Sequence, residues 1–249
     1  MRLKTRLSKT DDRLANFIVT VPSAVVTQAL AAAGADCLII DLEHGAIDYG
    51  SAHAMISATH GFDCAPLVRI AENTDAQVKR ALDLGAEGIV FPLIETAEQA
   101  SWAVSSLRYP PNGRRTFGPF IAHSHEGVPL PGYADHIDDT LTCCVLVETV
   151  EGVKNIEEIC DVPGIDIVVP APFDLSTSLG IPGQFEAPEF LEALATIETA
   201  ARAAGVPMGG NAFSSEQADA LFARGYRLIG GFDVLMLKSG VAAIKGWCG

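Results

Sequence analysis

The sequence predicts an α/β chain folded as a single-domain (β/α)₈ TIM barrel, and three observations carry that expectation. The 249 residues match the roughly 250 of one such barrel. Short apolar runs alternate with helical stretches throughout, the alternation of a parallel sheet with crossover helices. No Gly-x-Gly-x-x-Gly follows the first run, so a doubly wound open sheet lacks its phosphate-binding turn. Composition agrees: 49% hydrophobic and 19% charged residues supply one large core, and no linker or low-complexity stretch divides residues 1–249.

The runs cover residues 16–20, 37–40, 66–68, 88–91, 143–147, 165–169, 206–208 and 227–229. Each is almost continuously apolar, as strands covered on both faces require. Between them the helices carry start and stop signals. Ser23 is placed to cap a helix running to Gly34. Thr74 with Gln77, Thr96 with Gln99 and Ser214 with Gln217 match capping boxes, and Gly85 and Gly225 sit where a left-handed glycine ends a helix. The longest interruption separates the fourth and fifth runs. There Arg108-Tyr109-Pro110-Pro111-Asn112-Gly113-Arg114-Arg115 reads as loop, continuing to Asp139, a length that points to a functional segment.

A net charge of −14 repels a phosphate backbone and attracts metal cations, so no nucleic-acid partner is expected. The basic start, Arg2, Lys4 and Arg6, is followed by no apolar stretch of signal-peptide kind, and no run is long enough to cross a bilayer. Cys37, Cys64, Cys143, Cys144, Cys160 and Cys248 form no Cys-x-x-Cys pair. Most sit in apolar runs, as small hydrophobes do in a reducing cytoplasm.

Chemistry in a barrel collects where strands end. The second run ends Asp41-Leu42-Glu43-His44-Gly45, the third ends at Arg69, the fifth at Glu148, and the sixth leads through Pro170-Ala171-Pro172-Phe173 to Asp174. Each has an ordinary alternative. Asp174 could cap a short helix, Glu148 could pair with Arg69, His44 could be a packing residue, and Asp41 could orient its loop. So many charges on one rim point instead to a ligand.

These segments, with Arg108-Tyr109-Pro110-Pro111-x-Gly113, Val147-Glu148-Thr149 and Pro172-Phe173-Asp174-Leu175-Ser176-x-Ser178-Leu179-Gly180, resemble the HpcH/HpaI family of class II pyruvate aldolases. The resemblance runs from about Pro22 to Lys238. It implies a divalent metal held by Glu148 and Asp174, with a chelating 2-oxo acid and water completing the shell. All-oxygen ligands favour Mg²⁺ or Mn²⁺, with Co²⁺ also admissible. The metal would act as a Lewis acid on the keto oxygen, with Arg69 beside it. His44 matches the family's acid/base, with Asp41 orienting it, and Ala171, Pro172 and Phe173 match the segment that holds the oxo-acid carboxylate. No lysine ends a core strand as a Schiff-base mechanism needs.

A further family acid matches Asp83. A barrel helix ends at the face opposite the rim, so Asp83 would serve a neighbouring subunit's site, and the resemblance implies a homo-oligomer, a hexamer. Three positions depart from the pattern: Ala171 replaces a usual Gly, Leu146 a frequent Gln, and the segment Phe17-Ile18-Val19-Thr20-Val21 lacks a Trp. They would narrow the oxo-acid pocket or make it more apolar. The expected reaction is reversible cleavage of a 4-hydroxy-2-oxo acid to pyruvate and an aldehyde. The alternatives are a CoA-ester lyase of the citrate lyase β-subunit kind, using Arg108, Arg114 and Arg115 for the phosphates, and a non-catalytic binding barrel.

Overall fold

The computed structural model describes residues 2–9 and 12–248; Met1, Thr10, Asp11 and Gly249 lie outside the described residues. Eight parallel strands close in sequence order. They are β1 Leu14–Val19, β2 Cys37–Asp41, β3 Ala65–Arg69, β4 Gly88–Phe91, β5 Thr142–Val147, β6 Ile167–Pro170, β7 Met208–Asn211 and β8 Tyr226–Phe232, with β8 pairing back onto β1. The helices are α1 Leu3–Leu7, α2 Ala24–Ala32, α3 Tyr49–Ser57, α4 Asp75–Asp83, α5 Ala97–Leu107, α6 Ala122–His125, α7 Tyr133–Ile137, α8 Val150–Lys154, α9 Ile156–Cys160, α10 Pro172–Ser178, α11 Pro188–Ala204, α12 Ser215–Ala223 and α13 Asp233–Trp247. The expected (β/α)₈ barrel is the one observed, and each expected strand overlaps its counterpart.

Two apolar layers hold it. Alternate strand residues such as Leu38, Ile40, Val68 and Ile89 pack outward against the helices. Their neighbours Leu14, Ile39, Leu67, Val90, Leu146 and Leu228 fill the lumen, a packed core rather than a pore. Leu3 and Leu7 of α1 belong to the lumen cluster and plug its lower end. The basic residues around them have partners there: Arg2 with Glu87 and Glu126, Lys4 Nζ with Asp166 at 3.2 Å, and Arg6 with Asp36 at 2.5 Å. The basic N-terminal residues thus pair with acids just before β2, β4 and β6 and with Glu126 after α6.

The capping expectations hold with one refinement. Ser23 accepts from Val26 N–H, and Thr96 with Gln99 forms a complete box. At Thr74 and Ser214 the cap is made, but the Gln77 and Gln217 side chains accept from residues one or more positions upstream of it. Gly85 and Gly225 adopt φ of +102° and +98°. The seventh strand runs later than expected, through Gly209 and Gly210. Glycine argues against a strand locally, but the barrel wall requires it here: a Cβ at Gly209 would lie 2.9 Å from Val169 Cγ2.

Residues 108–139 are not all loop. They contain α6, a 3₁₀ turn at Leu130–Gly132, and α7, and they connect α5 to β5 at the lower face, away from the strand ends. Among the described residues, no helix is long and apolar enough to cross a membrane.

Candidate active site

Register brings the rim together. Asp41 and Arg69 are Cα partners at the ends of β2 and β3. Arg69 Nε donates to Asp41 Oδ1 at 2.8 Å and Nη2 to Oδ2 at 2.7 Å, a two-point pairing. Asp41 is fully buried, and its Oδ1 also accepts from the backbone N–H of Glu43 and His44, fixing the turn after β2. Burial pushes the Asp41 carboxyl up, but the hydrogen bonds and charge of Arg69 outweigh it, so it is held below the usual range. The alternative partnership of Arg69 with Glu148 is not the one formed; the arginine goes to Asp41, with Glu43 Oε2 also 3.3 Å from its Nε.

Glu148, just past β5, is 5% exposed. Its Oε1 accepts from the Leu93 N–H at 2.5 Å. Leu93 has φ +52°, alone among described non-glycine residues in the left-handed region. Strain of that kind persists where surrounding structure enforces it, commonly at functional sites, and here it aims an amide at a buried carboxylate. Burial, then the charges of Asp174 and Glu43, push the Glu148 carboxyl up to about 7 despite that amide. Asp174 is exposed in the first turn of α10, which opens on Pro172 after Ala171. Ala171 has φ −96°, so it replaces glycine without strain. Phe173 is half exposed and packs edge-on against Phe185.

His44 is mostly exposed, and Asp41 holds its backbone rather than its ring. The nearest acid to the imidazole is Glu43, with Oε2 3.9 Å from Nε2. Glu43 is therefore the rim residue that sequence reasoning passed over. Its Oε2 is buried with no hydrogen bond, and burial raises its carboxyl. Its place between Asp41 and His44 in the motif was the available signal. Leu93 had none, because only the folded chain reveals its φ.

Asp83 ends α4 at the lower face, as its helix position predicts, and pairs with Arg115 Nη2 at 2.8 Å. Within one chain it does not join the rim. Arg114 pairs with Asp75 at 2.9 Å, so two of the three arginines that a CoA ester would need are already engaged.

The donors suit a hard dication. Glu148, Asp174 and Glu43 offer oxygen donors only, and the one guanidinium among them, Arg69, is shared between Asp41 and Glu43. Among the described residues no group of three or more His, Cys, Asp or Glu is arranged to hold an ion alone. Two carboxylates with open positions are what a site completed by a chelating substrate would present.

A parallel eight-stranded barrel with acids, an arginine and a histidine gathered where its strands end defines a barrel enzyme. The HpcH/HpaI aldolase/citrate lyase family model matches residues 17–238, and the chain belongs to that family. It is 36% identical over 187 residues to a 2-dehydro-3,6-dideoxy-6-sulfogluconate aldolase of Pseudomonas putida, covering 75% of this chain and 73% of the relative. To a 2-keto-3-deoxy-L-rhamnonate aldolase of Escherichia coli (strain K12) it is 32% identical over 234 residues, covering 94% and 87%. A crystal structure of an HpcH/HpaI aldolase/citrate lyase family protein from Burkholderia cenocepacia J2315 superposes with a TM-score of 0.91 at 32% identity, covering 99% of both chains. The chain is a carbon–carbon lyase of the aldolase type.

Proposed function

We propose that the protein reversibly cleaves a 4-hydroxy-2-oxo acid to pyruvate, or a close 2-oxo acid, and an aldehyde, with a divalent cation held by Glu148 and Asp174. One observation carries the reading: Glu148, buried and pushed up to about 7, is crowded by Asp174 and Glu43 while Arg69 makes its two-point pairing with Asp41 instead. A bound cation would compensate that carboxylate once it is ionised. A bound Mg²⁺, Mn²⁺ or Co²⁺ would supply Lewis acidity to the 2-oxo group.

The chain's own groups do the rest. The Phe173 and Asp174 N–H groups, unpaired at the start of α10, orient the substrate carboxylate beside Ala171 and Pro172. Arg69, fixed by Asp41, places positive charge beside the 2-oxo oxygen, where negative charge develops as the C3–C4 bond breaks. His44 takes the proton of the C4 hydroxyl as the aldehyde forms. Glu43 and the Asp41 turn set the position of His44.

Asp83 acts in a neighbouring subunit of a homo-oligomer, a hexamer by family likeness. The exposed apolar residues of α13, Leu235, Met236, Leu237, Val241, Ile244 and Trp247, support an assembled state, because monomers seldom leave such a stripe in water. Six free thiols, five of them buried, support a cytoplasmic setting.

The experiment is a panel of 4-hydroxy-2-oxo acids with coupled detection of pyruvate, run after chelation and after return of Mg²⁺, Mn²⁺ or Co²⁺. Pyruvate release that depends on the ion is expected. Undiminished release in excess chelator refutes the metal reading, and no release from any member refutes the substrate class.

A further inference from the structure

The segment Arg108–Arg115 takes no part in the rim, yet it is built to bury one side chain. It doubles back on α5: the Gly113 N–H donates to Tyr109 O, the Arg114 N–H to Ser105 O and the Arg115 N–H to Arg108 O, at 2.9, 2.9 and 2.8 Å. Glycine is required at 113 for that approach, because a Cβ there would lie 2.3 Å from Ser105 O. The turn carries Arg115 inward, and its side chain is 0% exposed.

The Arg115 guanidinium lies over the Tyr109 ring at 4.7 Å, with the Tyr133 hydroxyl beside it. Nη2 donates to Asp83 Oδ1 at 2.8 Å, while Nε and Nη1 are buried without a hydrogen bond. A buried ion pair seldom stabilises a fold more than apolar side chains of similar volume would. What this one secures is the Asp83 carboxylate. Asp83 ends α4, where the partial negative charge of the helix opposes it, and Arg115 supplies the compensating charge. The other oxygen, Oδ2, lies against Gly118, where a Cβ would stand 2.9 Å from it. The carboxylate is thus bounded on two sides and still keeps 25% of its side-chain surface exposed.

Resting on the reading in which Asp83 serves a neighbouring subunit, we propose that Arg115 is the positioning residue for Asp83. The guanidinium holds Oδ1 from inside its own chain, so the carboxylate meets the neighbour's site in one fixed orientation. Arg115 itself is fully buried and touches no substrate. Holding a reacting group in place acts on turnover rather than on substrate affinity.

The test uses Mg²⁺-supplied protein and the 4-hydroxy-2-oxo acid that the wild type cleaves fastest. Arg115→Met, unbranched and uncharged, should lower kcat about tenfold or more and leave KM within about twofold. Arg115→Lys keeps the charge and should recover part of that loss. Gly118→Ala presses on Oδ2 from the other side and should also lower kcat, with the buried charge untouched. Circular dichroism and sedimentation of all three should match the wild type. Adding Arg115→Met to Asp83→Asn should lower kcat no further, because one residue acts through the other. Wild-type kcat in Arg115→Met and Gly118→Ala, or losses that multiply in the double variant, overturns the inference while Asp83→Asn alone stays impaired. Full activity of Asp83→Asn overturns the role of Asp83 and this inference with it.

Discussion

Arg69 grips Asp41 through two parallel hydrogen bonds of 2.8 and 2.7 Å, tying the end of β3 to the end of β2. The pair is buried, so its geometry decides both stability and catalysis. Lysine keeps the charge but lacks the planar fork. Arg69→Lys is expected to lower retro-aldol kcat by about a hundredfold with little change in metal affinity. Arg69→Ala should also lower Tm, because breaking a buried pair costs about 3–5 kcal/mol. Unchanged kcat in Arg69→Lys removes the role assigned to the fork.

Glu148→Gln and Asp174→Asn should each abolish Mn²⁺ binding, read by calorimetry, while circular dichroism remains that of a folded barrel. Glu148→Gln should further raise the metal-free Tm at pH 8, because it removes a buried charge crowded by Asp174 and Glu43. Tight Mn²⁺ retention in both variants rules out the ligand assignment.

The Glu148 carboxyl gives a pH signature with a definite sign. Its folded value, about 7, stands above the ordinary 4.5. Between those values the folded chain holds a proton that the unfolded chain has lost, so metal-free stability falls as pH rises through this window and levels off above it. A cation requires the carboxylate, so its affinity should rise with pH to about 7 and then flatten. Glu43→Gln removes one of the charges holding Glu148 up, and the midpoint of that rise should move to lower pH. A metal affinity flat from pH 5 to 8 contradicts the assignment.

Asp83 and Glu148 stand at opposite ends of one barrel. If Asp83 serves a neighbour, Asp83→Asn and Glu148→Gln should each be nearly inactive alone, and refolded mixtures should recover activity because some sites then draw both intact residues. Recovery should be absent if the two acids work within one chain. The oligomer itself is read by sedimentation.

Much of this was legible along the chain. The eight strands declared themselves by runs apolar on both faces, and the helices by Ser23, Thr74, Thr96 and Ser214, whose caps involve backbone only a few residues away. The rim positions of Asp41, Arg69, Glu148 and Asp174 followed from where those runs stop. The strand through Gly209 and Gly210 was hidden, because its reason is the closeness of Val169 and the Tyr226 ring across the wall.

The sequence by itself determined the barrel, the order of its elements and which charged residues crowd its upper edge, because periodicity and capping are local properties. Only the tertiary structure decided who meets whom: Arg69 with Asp41 rather than Glu148, Glu43 left with a buried oxygen that makes no hydrogen bond, Leu93 strained against Glu148, and Asn16 turned into the space that Gly230 leaves. Those partnerships depend on the register at which eight strands close, and closure joins residues as distant as β1 and β8.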